Sequence, residues 1–420
     1  MITKIEAVNF RCLRNISQTL GHLHVITGPN GSGKTTFLEV PQLLAAYAAD
    51  GLDALWKSSR ATAFEELLFH GEGNSVQLAV EAKVPDSILK KAFNGKGAPY
   101  SHVRYELEIG RDEGGDQPGI LAENLWLLPK SEPVPRSLIV QQELAFPSVS
   151  AGPRKLIKSK TPKGWTKTAS KTRQGNAYFK DERTAFNLQI RNPAIKSALS
   201  TLPEDEVRFP LSNWFKNEMA EHVQKIMLRS EMMQFPVSPL KGNRFAADGS
   251  NLPQVVQALR KDPPSWKGWL EHVRTILPIR NIEVEELAAN RSLFLVVEYD
   301  TGHKVQSWHL SDGTLRLLAL TLLAYTQNES AVYLIEEPEN GVHPQAIEAV
   351  YHSLSSLVDG QALVATHSPV LVAQVEPAQL LCFSKIGDET DIVRGDLHPK
   401  LKDWKGKLNL SHLYAAGVLS

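Results

Sequence analysis

The feature of this chain that most constrains its fold is a glycine-rich segment at residues 28–35. The segment matches the pattern G-x-x-x-x-G-K-[ST] at every fixed position. Residues 24–27 before it predict a short strand, and residues 34–49 after it predict a helix. Glycines let the backbone of such a segment curl, so that successive N–H groups and the positive end of the helix point at phosphate oxygens. The sequence therefore predicts a phosphate-binding loop between a strand and a helix.

The side chains of this loop have expected roles of their own. Lys34 is expected to reach the β- and γ-phosphates of a nucleoside triphosphate, and the Thr35 hydroxyl is expected to ligate Mg²⁺. The other expected phosphate contacts are Asn30, Gly31, Ser32, Gly33 and Thr36. A chance glycine-rich turn is the alternative interpretation, and the strand and helix on either side disfavour it.

An apolar run that ends in carboxylates lies at residues 332–339, which read Val-Tyr-Leu-Ile-Glu-Glu-Pro-Glu. The apolar residues predict a buried central strand, and ligands of open α/β sheets bind at the carboxyl ends of such strands. We expect Glu336 to hold Mg²⁺ and Glu337 to orient or deprotonate the attacking water. An exposed helix start, where carboxylates favour the helix dipole, is the alternative, and the phosphate-binding loop in the same chain disfavours it.

A short polar segment, Leu-Ser-Asp-Gly-Thr at residues 310–314, introduces a predicted helix at residues 312–325. Ser311 and the backbone N–H of Gly313 lie at the start of this helix, a position suited to binding a γ-phosphate. Taken alone, Ser311 would be an ordinary helix N-cap. Its position shortly before the acidic strand favours the phosphate-binding role.

Two histidines follow the acidic strand and lie near predicted element ends. His367 follows a strand predicted at residues 362–365, where it can donate a hydrogen bond to a γ-phosphate and sense its loss. A buried, structurally bonded histidine is the alternative for this position. His343 is either a ligand or part of a loop that starts the helix predicted at residues 344–357.

A run of basic residues lies at residues 153–183, where ten Lys and Arg side chains face two carboxylates. Trp165, Tyr178 and Phe179 are interspersed among these cations. Cations neutralise the phosphates of nucleic acids and aromatic rings stack on bases, which makes nucleic acid a candidate partner. A solvated hairpin and a docking site for an acidic protein are the alternatives.

Composition narrows the class of protein. Lys and Arg together number 46, as do Asp and Glu, so a globally basic nucleic-acid binder is not indicated. Cys12 and Cys382 are the two cysteines, and they favour a reducing cytoplasm over a disulfide framework. The first residues lack the apolar run of a signal peptide, and the most apolar stretch, residues 315–325, is too short to span a bilayer. We therefore expect a cytoplasmic protein without a membrane segment.

The order of predicted elements indicates an α/β fold with an antiparallel β subdomain. Strands predicted at residues 76–82, 103–109 and 137–142 favour an antiparallel sheet beside the nucleotide core. Helices and strands alternate through residues 312–365, which is typical of a parallel, helix-covered sheet. A hairpin is predicted just before them, with arms at 293–299 and 304–308.

Between these parts, residues 184–285 are predicted to be mostly helical, with residues 214–233 the best helix and no heptads for a long coiled coil. The expected divisions are residues 1–50 (first part of the core), 51–183 (antiparallel subdomain with the basic hairpin), 184–285 (inserted helical lobe), 286–375 (second part of the core) and 376–420 (closing segment).

In combination, these motifs resemble those of the ABC-class ATPases of the AAA family, near the OLD-like and SMC/RecF-like branch. The segments that carry the resemblance are residues 5–11, 28–35, 248–252, 311–313, 336–344 and 366–369. The chain departs from the L-S-G-G-Q signature of that class at Asp312 and Thr314, and Glu336 stands where Asp is more common. The resemblance implies a P-loop fold that binds ATP and Mg²⁺.

The resemblance also implies roles for individual residues. Ser311 would contact the ATP of the partner subunit, His367 would be the switch histidine, and residues 340–344 would be the D-loop that meets the other protomer. The Q-loop glutamine has no decisive position, and Gln77, Gln141 and Gln142 are its candidates.

At the level of function, the resemblance implies an ATP-sandwiched homodimer that hydrolyses ATP. OLD-like nucleases carry a TOPRIM nuclease domain after the ATPase, and the 53 residues after His367 are too few for one. The resemblance therefore implies an ATPase that controls a separate nuclease or other effector, as in anti-phage systems such as PARIS and Septu. The alternatives are a DNA-repair or chromosome-maintenance ATPase that clamps DNA, an ATP-binding scaffold with slow turnover, and a transporter engine.

Overall fold

A computed structural model of the chain describes residues 1–95, 97–111, 117–129, 155–173, 175–184, 186–326 and 330–401. The strands are β1 (Ile2–Phe10), β2 (Leu13–Thr19), β3 (Leu23–Thr27), β4 (Ser75–Lys83), β5 (Tyr100–Gly110), β6 (Gly119–Pro129), β7 (Thr166–Thr172), β8 (Asn176–Lys180), β9 (Asn187–Arg191), β10 (Val223–Ile226), β11 (Ile279–Glu286), β12 (Leu293–Tyr299), β13 (Lys304–Gln306), β14 (Val332–Glu336), β15 (Gln361–Ala365), β16 (Leu380–Ile386) and β17 (Glu389–Arg394).

The α-helices of the described residues are mostly short. They are α1 (Lys34–Asp50), α2 (Leu52–Ser59), α3 (Asp86–Ala92), α4 (Pro210–Asn217), α5 (Ser230–Gln234), α6 (Leu252–Leu259), α7 (Pro263–Arg274), α8 (Asp312–Leu322), α9 (Pro344–Ser355) and α10 (Pro369–Gln374). The helix predicted after the glycine-rich segment is therefore confirmed as α1, and the helix predicted after Ser311 is confirmed as α8.

A six-stranded sheet forms the centre of the fold, in the order β10-β14-β15-β3-β16-β17. Its first five strands are parallel, and β17 returns antiparallel to β16. In β14, Leu334 packs in one apolar core and Tyr333 in the other, because successive side chains of a strand point to opposite faces. The parallel, helix-covered sheet predicted from the sequence is confirmed.

Parallel pairing brings the carboxyl ends of three core strands to one edge. Glu336 at the end of β14 lies opposite Ala365 at the end of β15, and Ala365 lies opposite Ile26 of β3. The segments that follow these strands are the acidic segment, the segment with His367 and the glycine-rich loop. Three stretches that are far apart in sequence therefore meet at this edge.

An eight-stranded antiparallel sheet, in the order β2-β1-β4-β5-β6-β7-β8-β9, packs beside the central sheet. Helix α1 lies between them, and its Phe37, Leu44 and Tyr47 are fully buried in the shared apolar core. The antiparallel subdomain is confirmed, including the hairpin of β7 and β8 within the basic run. A third, three-stranded sheet, β11-β12-β13, contains the predicted hairpin.

The structure differs from the sequence predictions in three places and leaves one untested. Residues 184–285 are not mostly helical, because they include β9, β10 and most of β11 between short helices. Residues 214–233 do not form one helix, because α4 ends at Asn217 and β10 begins at Val223 and pairs with β14. The antiparallel sheet extends beyond residues 51–183, because it includes β1, β2 and β9. The strand predicted at residues 137–142 lies outside the described residues.

A buried histidine in the central sheet gives the fold a pH dependence. His24 of β3 is 4% exposed, its Nε2 accepts a hydrogen bond from the Gly21 N–H at 2.7 Å, and its Nδ1 lies 3.1 Å from the Gln379 carbonyl oxygen. Burial lowers the pKa of His24 to about 4 from an ordinary value of 6.5. The unfolded chain therefore takes up a proton at His24 at a higher pH than the folded chain does.

We expect the free energy of unfolding to fall by about 2–3 kcal/mol through this histidine between pH 7 and pH 4.5, because protons then bind preferentially to the unfolded state. Denaturant unfolding of the wild type and of His24→Gln at both pH values measures the effect. The variant should lose correspondingly less stability on acidification. Equal losses in the two proteins would show that His24 is not the group responsible.

Candidate functional site

The glycine-rich loop between β3 and α1 has the backbone shape that its sequence predicted. Gly28, Gly31 and Gly33 have φ angles of 150°, 74° and 95°, values that side chains disfavour. At Gly28, a Cβ atom would lie 2.3 Å from the carbonyl oxygen of Phe383 in β16, so the neighbouring strand also leaves room for glycine alone. The loop is held from outside as well, because the Thr390 hydroxyl donates to the Ser32 carbonyl at 3.0 Å.

Lys34 closes the loop on itself. Its Nζ donates hydrogen bonds to the carbonyl oxygens of Gly28 at 2.9 Å and Pro29 at 2.8 Å. Burial lowers the pKa of Lys34 to about 8, and the negative charge of Glu337 opposes this shift. An ammonium held above the loop by carbonyl oxygens can exchange them for phosphate oxygens, which are stronger, charged acceptors.

A cavity of about 340 Å³ lies over this loop and collects most of the predicted site. It is lined by Cys12, Asn30, Gly31, Gly33, Lys34, Thr35, Thr36, Glu336, Glu337, Ala365 and His367. Ser32 is fully buried and lies outside this lining. The structure therefore brings the predicted lysine, threonines, carboxylates and histidine around one space.

The two carboxylates of the acidic segment differ in their surroundings. Glu336 ends β14 and forms an ion pair with Lys225 of β10, at 2.8 Å between Nζ and Oε1. Glu337 is exposed, has a φ of 47°, and is fixed by its backbone N–H, which donates to the Ala365 carbonyl at 2.7 Å. The Asn340 side chain donates to Glu337 Oε2 at 2.6 Å. Positive φ in a residue other than glycine is backbone strain of the kind found at functional sites.

Glu339 links the acidic segment to the loop that carries His367. Its Oε1 accepts hydrogen bonds from the Thr366 hydroxyl at 2.7 Å and from the backbone N–H of His367 at 2.8 Å. Thr366 N–H in turn donates to the Ile26 carbonyl of β3 at 3.0 Å. These bonds fix the backbone that presents the His367 ring to the cavity.

Ser311 is the N-cap of α8, the alternative that the sequence disfavoured, and it lies outside the cavity of its own chain. Its Oγ accepts from the Thr314 N–H at 3.2 Å and lies 2.9 Å from the Thr314 hydroxyl. Ser311 is exposed, and the first N–H groups of a helix have no partner within it. The start of α8 therefore combines the exposed Ser311 side chain with the N–H groups of a first helical turn, in which Gly313 is half-buried.

The predicted D-loop packs on the start of the same helix. A Cβ atom on Gly313 would lie 2.5 Å from the Gly341 carbonyl oxygen, so the two backbones are in direct contact. His343 caps α9, and its Nδ1 accepts from the Gln345 N–H at 3.3 Å. This arrangement favours the helix-start interpretation of His343 over a ligand role.

The donors around the cavity suit a magnesium–nucleotide complex. Mg²⁺ binds oxygen ligands, usually one or two from the protein together with substrate phosphates. The Thr35 hydroxyl and the Glu336 carboxylate are hard oxygen donors that line the same cavity. Bound there, Mg²⁺ would supply charge stabilisation for the phosphate oxygens.

Three residues of this region were missed in the sequence. Cys12 lines the cavity from the turn between β1 and β2, and its Sγ lies 3.6 Å from the Thr36 hydroxyl. Lys225 lies on a strand that was predicted as helix. Glu339 was part of the quoted acidic segment, but the sequence contains no signal for its partners 27 and 28 positions away.

The structure describes one of the three candidates for the Q-loop glutamine. Gln77 lies in β4 of the antiparallel sheet, where its Oε1 accepts from the Leu156 N–H at 2.7 Å and its Nε2 donates to Glu108 at 2.8 Å, so it does not belong to the cavity. Gln141 and Gln142 lie outside the described residues.

Several members of the basic run are engaged inside the protein. Lys171 is 2% exposed and donates to the Pro193 carbonyl at 2.7 Å, and Lys167 lies 4.5 Å above the Trp126 ring. Phe179 is 1% exposed, so the expectation that it can stack on a base is wrong. Tyr178, at 41% exposed, remains accessible. Within the described ranges, no helix has the length and apolarity needed to cross a bilayer.

The sequence of this chain is similar to a known protein family and to individual proteins. The family described as "AAA domain, putative AbiEii toxin, Type IV TA system" matches residues 158–373. Protein ea59 of Escherichia phage lambda is 27% identical over 149 residues, which is 31% of this chain and 28% of that protein. OLD nuclease of Thermus scotoductus is 41% identical over 61 residues, 14% of this chain and 10% of that protein. The chain thus spans less than a third of the length of either relative.

Among solved structures, an SMC head bound to the C-winged helix domain of ScpA is similar, with a TM-score of 0.52. The two chains are 14% identical, and the match covers 93% of this chain and 97% of that one. At this identity the likeness concerns the fold, an α/β P-loop ATPase fold of the ABC and SMC type with an antiparallel sheet. Because the family match spans just over half of the sequence, the chain belongs to this family of AAA domains.

Proposed function

We propose that this chain binds ATP with Mg²⁺ in the cavity over residues 28–36 and hydrolyses it within a homodimer. The observation that carries the proposal is the division of the predicted site. Lys34, Glu336, Glu337 and His367 line one cavity, whereas Ser311 is exposed and lies outside it. A second chain can supply Ser311 to that cavity, and an isologous dimer does this for both sites at once.

ATP would be bound by the loop first. The N–H groups of residues 30–36 surround the phosphates, and Lys34 Nζ leaves the Gly28 and Pro29 carbonyl oxygens for the β- and γ-phosphates. Thr35 and Glu336 would hold Mg²⁺, which would offset the charge of the phosphate oxygens. The glycine-rich loop and the end of β14 would then both contact one magnesium–nucleotide complex.

Hydrolysis would then use Glu337 as the base. A water molecule attacks the γ-phosphorus, the bond from that phosphorus to the β–γ bridging oxygen breaks, and the proton of the water passes to the Glu337 carboxylate. His367 donates to the γ-phosphate, and Ser311 of the partner subunit with the N–H groups of its helix stabilises the same oxygens. ADP and phosphate leave, and the contact that joined the two subunits is lost.

Binding of ATP, without hydrolysis, would be enough to close the dimer. The γ-phosphate joins the loop of one subunit to the helix start of the other, so ATP binds the closed dimer more tightly than it binds the separated chains. Hydrolysis removes this preference. In this cycle, the two subunits are joined while ATP is bound and separate after ATP is hydrolysed.

We further propose that this cycle controls a separate effector, a nuclease, in defence against phage. Support comes from the similarity to OLD nuclease over 61 residues and from the toxin named in the family description. Purification of the tagged chain from the cells that produce it, followed by identification of bound proteins, tests this part. Recovery of a nuclease that dissociates when ATP is hydrolysed supports it, and a chain that purifies alone in every nucleotide state contradicts it.

The ATPase proposal has a direct test in two measurements on the purified chain. Mg²⁺ and ATP should give steady phosphate release, and a non-hydrolysable ATP analogue should raise the mass by light scattering from 46.5 kDa to about twice that value. If the chain binds the analogue but releases no phosphate from ATP, it is a nucleotide-binding scaffold and not an ATPase. Absence of binding would refute the site itself.

A further inference from the structure

A buried lysine next to the expected metal ligand has no role in the steps above. Lys225 lies in β10, the edge strand of the central sheet, and its side chain is 5% exposed. In the pairing of β10 with β14, Lys225 lies opposite Leu334, and therefore on the same face of the sheet as Glu336 two positions later. The side chain reaches along this face and ends 2.8 Å from Glu336 Oε1.

The ion pair is the single polar contact of the two atoms that form it, Lys225 Nζ and Glu336 Oε1, in the part of the chain that the structure describes. A buried ammonium without its counter-ion is strongly disfavoured in a protein interior. The buried charge of Lys225 therefore depends on Glu336, whose own side chain is 28% exposed.

A second ion pair lies behind the first, on helix α1. Glu39 is 3% exposed, and Arg11 contacts its Oε2 at 2.5 Å. Burial raises the pKa of Glu39, the charges of Arg11 and Lys225 oppose this, and the charge of Glu336 adds to it. Arg60 opposes the shift as well, so three cations lie within electrostatic reach of the two carboxylates, Glu39 and Glu336. The two carboxylates are therefore already offset by nearby cations before any divalent cation binds.

We propose that Lys225 is a positioning residue that competes with Mg²⁺ for the Glu336 carboxylate and thereby makes metal binding depend on the nucleotide. Free Mg²⁺ would have to displace a buried ammonium, and the nearby cations already offset the negative charge of Glu336 and Glu39. Mg²⁺ that arrives with ATP brings the negative charge of the phosphates, which attract the ammonium and the metal alike. The inference rests on the assignment of Glu336 as metal ligand in the proposed function.

The test measures how much Mg²⁺ is needed for half-maximal binding of a fluorescent, non-hydrolysable ATP analogue. Lys225→Met removes the charge and keeps the length of the side chain. We expect its half-saturating Mg²⁺ concentration to be about 5–10-fold lower than that of the wild type, because Glu336 no longer has a competing cation. Lys225→Arg keeps the charge and should behave like the wild type.

This direction of change separates positioning from mere support of the fold. Loss of a structural contact weakens binding of metal and analogue together, whereas the proposal predicts a gain for the metal. An unchanged or higher Mg²⁺ requirement in Lys225→Met overturns the proposal. If that variant does not fold, the double variant Lys225→Met with Glu336→Gln removes both charges of the pair, a change that buried ion pairs often tolerate.

The double variant also supplies the control for the carboxylate. It should require as much Mg²⁺ as Glu336→Gln alone, because the effect of Lys225 acts through Glu336. A lower requirement in the double variant than in Glu336→Gln overturns the proposed route. Glu336→Gln with the wild-type Mg²⁺ dependence would instead refute Glu336 as metal ligand and with it that part of the proposed function.

Discussion

Replacing Glu337 by Gln should lower the rate of ATP hydrolysis by about 10²–10⁴-fold, the usual contribution of a general base. A carboxamide cannot take the proton of the attacking water. It keeps an oxygen that can accept the hydrogen bond from Asn340 Nδ2, now 2.6 Å from Glu337 Oε2, so the strained turn has no reason to change. ATP binding should persist, since Lys34, Thr35 and Glu336 are untouched.

Trapped ATP should also hold the two chains of this variant together. Light scattering with ATP itself, not an analogue, should therefore report a stable dimer for Glu337→Gln and a transient one for the wild type. Glu348→Gln makes the same chemical change on the exposed surface of α9 and should hydrolyse ATP at the wild-type rate. Wild-type turnover in Glu337→Gln would remove Glu337 from the mechanism.

Replacing Lys34 by Ala should weaken ATP binding by about 100–1,000-fold, since two charge-assisted hydrogen bonds to phosphates contribute about 1.5–3 kcal/mol each and part of this is already spent on carbonyl oxygens. Titration of the purified variant with a fluorescent ATP analogue measures the loss. The fold should survive, because the ammonium bonds only to the loop carbonyls of Gly28 and Pro29 in the free protein.

Lys34→Arg serves as the matched variant, since it keeps the charge but not the compact ammonium. It should bind ATP more weakly than the wild type and more tightly than Lys34→Ala. Analogue binding by Lys34→Ala at the wild-type affinity would place the phosphates elsewhere than over residues 28–36.

The sequence predicted those parts of the site that local pattern controls. The loop at residues 28–35 has its glycines where the backbone adopts positive φ, and the apolar runs before Glu336 and His367 are buried parallel strands. Because the carboxyl ends of parallel strands share an edge, these three segments were expected at one place, and they line one cavity.

The sequence did not predict the parts of the fold that depend on pairing between strands far apart in the chain. Residues 223–226 lie among strong helix formers, yet they form β10 because β14 offers an open edge in the central sheet. Lys225 owes its position beside Glu336 to that pairing. β1 belongs to the antiparallel sheet because it pairs with β4, more than sixty positions away, and this places Cys12 against the cavity. No local signal in the sequence reports such contacts.

The central claim is that each ATP site is completed by Ser311 of the partner subunit, and mixing two inactive variants tests it most directly. Lys34→Ala lacks a functional phosphate-binding loop, and Ser311→Arg blocks the start of α8. Each variant alone should therefore hydrolyse almost no ATP. A mixed dimer contains one site with an intact Lys34 from one chain and an intact Ser311 from the other. In an equal mixture, phosphate release should recover to about a quarter of the wild-type rate, because half of the dimers are mixed and half of their sites are intact. A mixture no more active than its two separate components would contradict a shared site.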